Sequence, residues 1–243
     1  MSYANPAAWA DQRFVIDAPL DARVSFIRKT YLHLAVAVAA FVGLEAALLT
    51  MPGVEQFAMS MLGGRFSWLI VMGAFMGAAY LAQYWARSAT SPGLQYAGLG
   101  LYVVAESVIF VPIMLAAKHL ETATGAFVIG PAAIITLVVF GGLSAIVFLT
   151  KKDFSFLRTF LFAAGWAGMG LIVASIFLGF NLGAIFSAVF VLVACGWILY
   201  DTSNVLHHYR TDQHVAASLA LFASVALLFW YVLRLVMSFT SRD

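Results

Sequence analysis

The sequence predicts an all-α integral membrane protein with seven transmembrane helices. Three observations carry this. Of 243 residues, 63% are apolar and only 10% charged, against about 45–50% and about 25% in a soluble domain, and the mean hydropathy is +0.96. The apolar residues fall into seven continuous runs with short polar connections. Each run has a helix's length, since a bilayer core of about 30 Å takes about 20 residues at about 1.5 Å rise. Membrane-barrel strands are about 10 residues long and alternate polar with apolar, which these runs do not.

The runs follow in order. Tyr31–Met51 comes directly after Arg28 and Lys29 and reads as an uncleaved anchor. Residues 1–30 contain Asp11, Asp17, Asp21, Pro6 and Pro19 without an apolar core, so they are not a cleavable signal. They read as a mobile cytoplasmic tail with a surface turn around Trp9 or Phe14, and residues 31–240 as one transmembrane domain. Ser67–Ala86 carries Gly73 and Gly77 at the GxxxG spacing, which predicts close helix packing. Leu94–Ala117 holds Glu106 and Pro112, and Ala126–Thr150 follows. Thr159–Phe180, with Gly165, Gly168 and Gly170, is parted from Leu182–Tyr200 only by Asn181, so these two form a tight hairpin. Val215–Phe239 is last and carries Arg234.

A net charge of +2 is too small for a nucleic-acid footprint. The single cysteine, Cys195, forms no intramolecular disulfide or zinc site and reads as a small packed hydrophobe. With the N-terminus inside, Arg13, Arg23, Arg28, Lys29, Arg87, Lys151, Lys152, Arg158 and Arg210 fall on the cytoplasmic side, and Arg65, Lys118 and Arg242 outside. The bias predicts a multi-pass inner (plasma) membrane protein with a cytoplasmic N-terminus.

A charge at mid-membrane costs about 2.5–3.5 kcal/mol on insertion scales, so intramembrane acids need partners or water. Glu106 lies about 18 Å along a third span about 36 Å long, at the midplane. It reads either as a protonatable transport site or as an acid bonded between helices, with Pro112 freeing a carbonyl nearby. Asp201 ends the sixth span, where the helix dipole is unfavourable to an acid. It either meets Arg87, at the same side, or sits exposed among headgroups. Glu45 and Arg234, toward the outer side, either pair or reach an interface singly. His207, His208 and His214 crowd the sixth connection and read as a hydrated, proton-sensitive turn.

Enzyme classes find no support. Ser144 has no histidine base at its depth, no His-Glu-x-x-His run occurs, the seventh span has no Schiff-base lysine, and no glycine-rich phosphate loop precedes a lysine. No cofactor or metal is implied.

Three stretches resemble the Bax inhibitor-1 family: the Thr150–Leu157 loop (Thr-Lys-Lys-Asp-Phe-Ser-Phe-Leu), the Ile198–Asn204 end of the sixth span (Ile-Leu-Tyr-Asp-Thr-Ser-Asn), and Arg28–Tyr31 (Arg-Lys-Thr-Tyr). The resemblance covers nearly the whole chain. It implies a central seventh helix surrounded by six others in two three-helix layers. In calcium-leak relatives, an aspartate on the sixth span, a second on the seventh and an arginine on the second form a proton-sharing gate. Asp201 and Arg87 match the first and third positions, whereas the second is Ser224, which removes the acid pair. Glu106 lies outside the family pattern. Thr202-Ser-Asn204 and Ser241-Arg-Asp243 look most like the bacterial YccA branch. That branch resembles proteins restraining a membrane-anchored AAA protease of the FtsH type, which implies a protease modulator in membrane-protein quality control. A pH-sensitive leak for Ca2+ or another cation, or for H+, through Asp201, Arg87 and Glu106 is the alternative.

Overall fold

Helix α1 (Leu20–Leu48) begins behind Pro19, whose fixed φ suits a helix start. The computed structural model describes residues 14–64 and 66–241. The remaining helices are α2 (Val54–Leu62), α3 (Ser67–Ala86), α4 (Pro92–Thr124), α5 (Ile129–Thr150), α6 (Leu157–Leu178), α7 (Ala184–His207) and α8 (His214–Thr240). All but α2 are long and apolar enough to cross a membrane. The seven predicted spans therefore stand, with ends shifted by several residues.

Two differences have local causes. The first helix begins ahead of its predicted span: α1 starts at Leu20, and Phe26 and Thr30 are buried on the stripe that continues through Leu34, Ala37, Phe41 and Glu45. Ahead of it, Val15–Asp17 form a 3₁₀ turn. Val15 is fully buried and its N–H donates to the Tyr209 carbonyl at 2.9 Å. Arg23 holds the turn by donating from Nε to the Val15 carbonyl at 3.1 Å. Phe14 is 52% exposed and bridges to Arg210, whereas Trp9 lies outside the described residues. The second difference is α2, which the sequence reading left within a connection. It buries Ala58 and Met61 and packs against α3 and α4.

Helix α4, with 33 residues, is about 50 Å long, longer than a bilayer core of about 30 Å. Ser91 caps it by accepting from the Leu94 N–H, Pro92 occupies the first turn, and Gly125 ends it at φ 72°. Near its end, Glu121 Oε1 accepts from the N–H groups of Val128 and Ile129 at 2.7 and 2.9 Å, capping α5.

Helix α8 is the most buried span. It packs against α1, α3, α4, α5 and α7, whereas α6 leans on α7. The surrounding ring in two layers stays an expectation of the resemblance. Phe41, Phe110 and Phe222 join α1, α4 and α8 edge to face, with centroids 5.1 Å apart for Phe41–Phe110 and 6.0 Å for Phe41–Phe222. Cys195 packs against this core.

The expected glycine packing lies elsewhere. A Cβ on Gly73, Gly77, Gly165 or Gly170 would meet nothing within 4 Å, while one on Gly168 would strike the Phe190 ring. The tightest backbone approach is at Gly98 of α4, where a Cβ would lie 2.5 Å from the Ala82 carbonyl of α3.

Candidate functional site

Helix α7 continues past Asp201 to His207. Asp201 is therefore inside the helix, and its side chain is buried rather than lying among headgroups. Helices α7 and α8 run antiparallel about a short turn, which brings Ser224 opposite. The Ser224 hydroxyl donates to Asp201 Oδ2. Ser224 is itself buried, so this bond is shielded from water.

Arg87 caps the end of α3 within electrostatic reach of Asp201. Among the described residues no ion pair joins them within 4 Å. Glu106, midway along α4, is buried, and the Tyr102 phenol one turn earlier interacts with its carboxyl. Asp201 acts electrostatically on the same phenol. Asp201, Arg87, Ser224 and Glu106 thus line one cavity of about 880 Å³. Its wall also includes Arg158, Asn204, Tyr209 and Arg234. Desolvation, reinforced by the Asp201 carboxylate, pushes the Tyr209 phenol above its usual range. Sequence reasoning passed over Tyr102 and Tyr209. The first carried a signal in its i−4 spacing from Glu106; the second, in the connection, carried none.

The other polar residues separate. Arg234 does not pair with Glu45: its Nη2 donates to the Leu182 carbonyl at 3.0 Å. Glu45 is buried, and neither of its carboxylate oxygens has a hydrogen-bond partner. The three histidines divide. His214 lies beside His33, centroids 5.1 Å apart with the rings tilted by 58°. His33 Nδ1 donates to the Lys29 carbonyl at 2.7 Å, and its Nε2 lies 3.2 Å from the Tyr96 hydroxyl.

His207 and His208 belong to a second cluster, which docks the α5–α6 loop on the end of α7. Phe154 N–H donates to Ser203 Oγ at 2.9 Å, and Ser203 donates to Asp153 Oδ1 at 3.3 Å. His208 Nε2 lies 3.7 Å from Asp153 Oδ2. Partial burial works to raise the Asp153 carboxyl, but hydrogen bonds from Ser155 and the fields of His208 and His207 outweigh it and hold the group below its usual value. Tyr31, at the third motif stretch, lies beside Ser144 and Thr202. The three stretches that carry the resemblance therefore converge at one end of the bundle.

Comparison with known proteins places the chain among relatives. The model of the family described as inhibitor of apoptosis-promoting Bax1 matches residues 23–241. The chain is 38% identical over 109 residues to a protein of Escherichia coli K12 named modulator of FtsH protease YccA, covering 44% of this chain and 49% of that one. It is 34% identical over 117 residues to Bax inhibitor 1 of Schizosaccharomyces pombe, covering 46% and 43%. It is 26% identical over 228 residues to protein LIFEGUARD 4 of Arabidopsis thaliana, covering 91% and 87%. The first two alignments span about half the length of those relatives, as does that to an uncharacterised Vibrio cholerae membrane protein at 53%.

Proposed function

Because the chain belongs to the Bax inhibitor-1 family, we propose that this multi-pass membrane protein modulates a membrane-anchored AAA protease of the FtsH type. The observation that carries this reading is the likeness to a relative named for that role. The site supports it: Ser224 stands where a proton-sharing gate needs a second acid, and it bonds Asp201 as a neutral donor. The protein lies in the inner membrane with the end bearing Arg87, Arg158 and Lys152 facing the cytoplasm, as the positive-inside rule directs. Contact with the protease is made there, through residues 1–13 and the docked α5–α6 loop.

Co-purification from membranes tests the reading, with the full chain and with a chain lacking residues 1–13. The deletion stops short of the buried Val15, so α1 keeps its anchor. Protease recovered with the full chain and lost with the deletion supports both partner and contact. Equal recovery removes the role of residues 1–13, and no recovery with either chain overturns the proposal.

The cavity itself favours a second reading, a cation leak past Glu106 and Asp201. Vesicles loaded with a calcium dye decide it. A leak that differs between about pH 6 and about pH 8, and that Asp201→Asn abolishes, supports this reading; identical traces for both chains at both pH values exclude it.

A further inference from the structure

Helices α3 and α6 bury fewer residues than any other span: Ala82 and Ala86 in the first, Leu161 and Gly168 in the second. Helix α3 is held by α2, α4 and α8, and α6 by α7. Both line the cavity, through Met72 and Met76 on one side and Met169 and Ile172 on the other. Yet they do not pack along their lengths; a described contact between them is at the far tip, where the Phe66 and Phe177 rings lie 6.1 Å apart. The cavity is therefore a groove with a side opening toward the acyl chains.

Its chemistry is graded. Arg87 and Arg158 stand at one mouth, and neither has an ion-pair partner within 4 Å among the described residues. The Arg158 guanidinium lies over the Phe162 ring, 5.9 Å from its centroid, which holds it at the groove. Beyond the mouth, Met and aromatic side chains form the wall between α3 and α6. Depth allows it as well. The α8 wall runs from Ala216 to Arg234, about 27 Å of helix, which exceeds the about 15 Å that one lipid tail spans, so an acyl chain is accommodated whole below a head at the arginine mouth.

We propose that this groove binds one anionic membrane lipid, with its phosphate head at Arg87 and Arg158 and an acyl chain between α3 and α6. A partner's transmembrane helix is the competing occupant, and charge decides against it: the two arginines at the mouth suit a phosphate headgroup, which an apolar helix lacks. The site is independent of the protease reading, since it needs no protein partner.

The full chain is placed in nanodiscs of phosphatidylcholine and phosphatidylglycerol with identical acyl chains, and the lipid retained on release is counted by native mass spectrometry. The expected result is one retained phosphatidylglycerol, favoured about tenfold over phosphatidylcholine. Arg87→Ala with Arg158→Ala brings the preference to about twofold or less. Arg28→Ala with Lys152→Ala removes equal charge from the same end, outside the groove, and leaves the preference intact. Ala223→Phe fills the groove and lowers retention of both lipids. Equal retention of the two lipids by the unaltered chain overturns the proposal without recourse to any variant. So does an equal loss in the two double variants, which makes the preference a general surface attraction. Full retention by Ala223→Phe overturns the placement of the acyl chain.

Discussion

The hydroxyl of Ser224 donates a hydrogen bond to the carboxylate of Asp201, joining the last two spans inside the bundle. The bond gives a buried acid a neutral partner, whereas the same position occupied by aspartate would give it a like charge. Ser224→Ala leaves Asp201 without that donor and is expected to cost about 1–3 kcal/mol, seen as a lower thermal midpoint in detergent. A midpoint equal to that of the unaltered chain contradicts a structural role for the pair.

Ser224→Asp tests the other half of the relationship. Two carboxylates in contact repel once both are ionised. The variant is expected to lose stability as pH rises from about 5 to about 8, more steeply than the unaltered chain. On the protease reading it should also show, in dye-loaded vesicles, a pH-dependent calcium leak that the unaltered chain lacks. A stability curve parallel to that of the unaltered chain shows that the two side chains move apart.

The spans were legible because continuous apolar runs need no tertiary information, and the depth of Glu106 followed from helix rise alone. What packs against what was not legible. Gly73 and Gly77 have the spacing of a packing motif but face open space, while Gly98, in no motif, receives the backbone of α3. Spacing marks a face without saying which neighbour comes to it. Asp201 and Arg87 were matched to the site through resemblance, and Ser224 by counting along the last span; the shared cavity was beyond sequence reasoning. The anchoring of Val15 was also hidden, since its partner is a backbone carbonyl at Tyr209, far along the chain and without a side-chain signature.

The glycines give a paired test. Gly98→Ala puts a methyl 2.5 Å from the Ala82 carbonyl and 2.7 Å from the Ala86 nitrogen. Both are helix backbone atoms, so α3 and α4 must separate, at a cost of about 1–3 kcal/mol. Gly73→Ala meets nothing within 4 Å and is expected to be neutral or to stabilise α3 by up to about 1 kcal/mol. Thermal midpoints of the two variants should move in different directions or differ by several degrees. Equal shifts refute the assignment of the close approach to Gly98.

The docked loop supplies the pH prediction. Asp153 is held below the usual carboxylate value by the Ser155 hydrogen bonds and the neighbouring His208 and His207, which together exceed the opposing effect of burial. A carboxyl depressed on folding contributes stability above its unfolded value of about 3.9, and that contribution fades as pH falls through the folded value. Docking of residues 151–156 should therefore hold from neutrality down to about pH 4 and weaken only in stronger acid. Hydrogen exchange of the Phe154 and Ser155 amides reads this directly, because both donate within the cluster. Ser203→Ala removes the acceptor for Phe154 and one donor to Asp153, so it should raise Phe154 exchange about tenfold at neutral pH, as loss of a bond worth about 1.4 kcal/mol requires. Protection already lost near pH 6 would refute the assignment of the docking to the Asp153 carboxylate, and unchanged exchange in Ser203→Ala would remove Ser203 from the link between loop and helix.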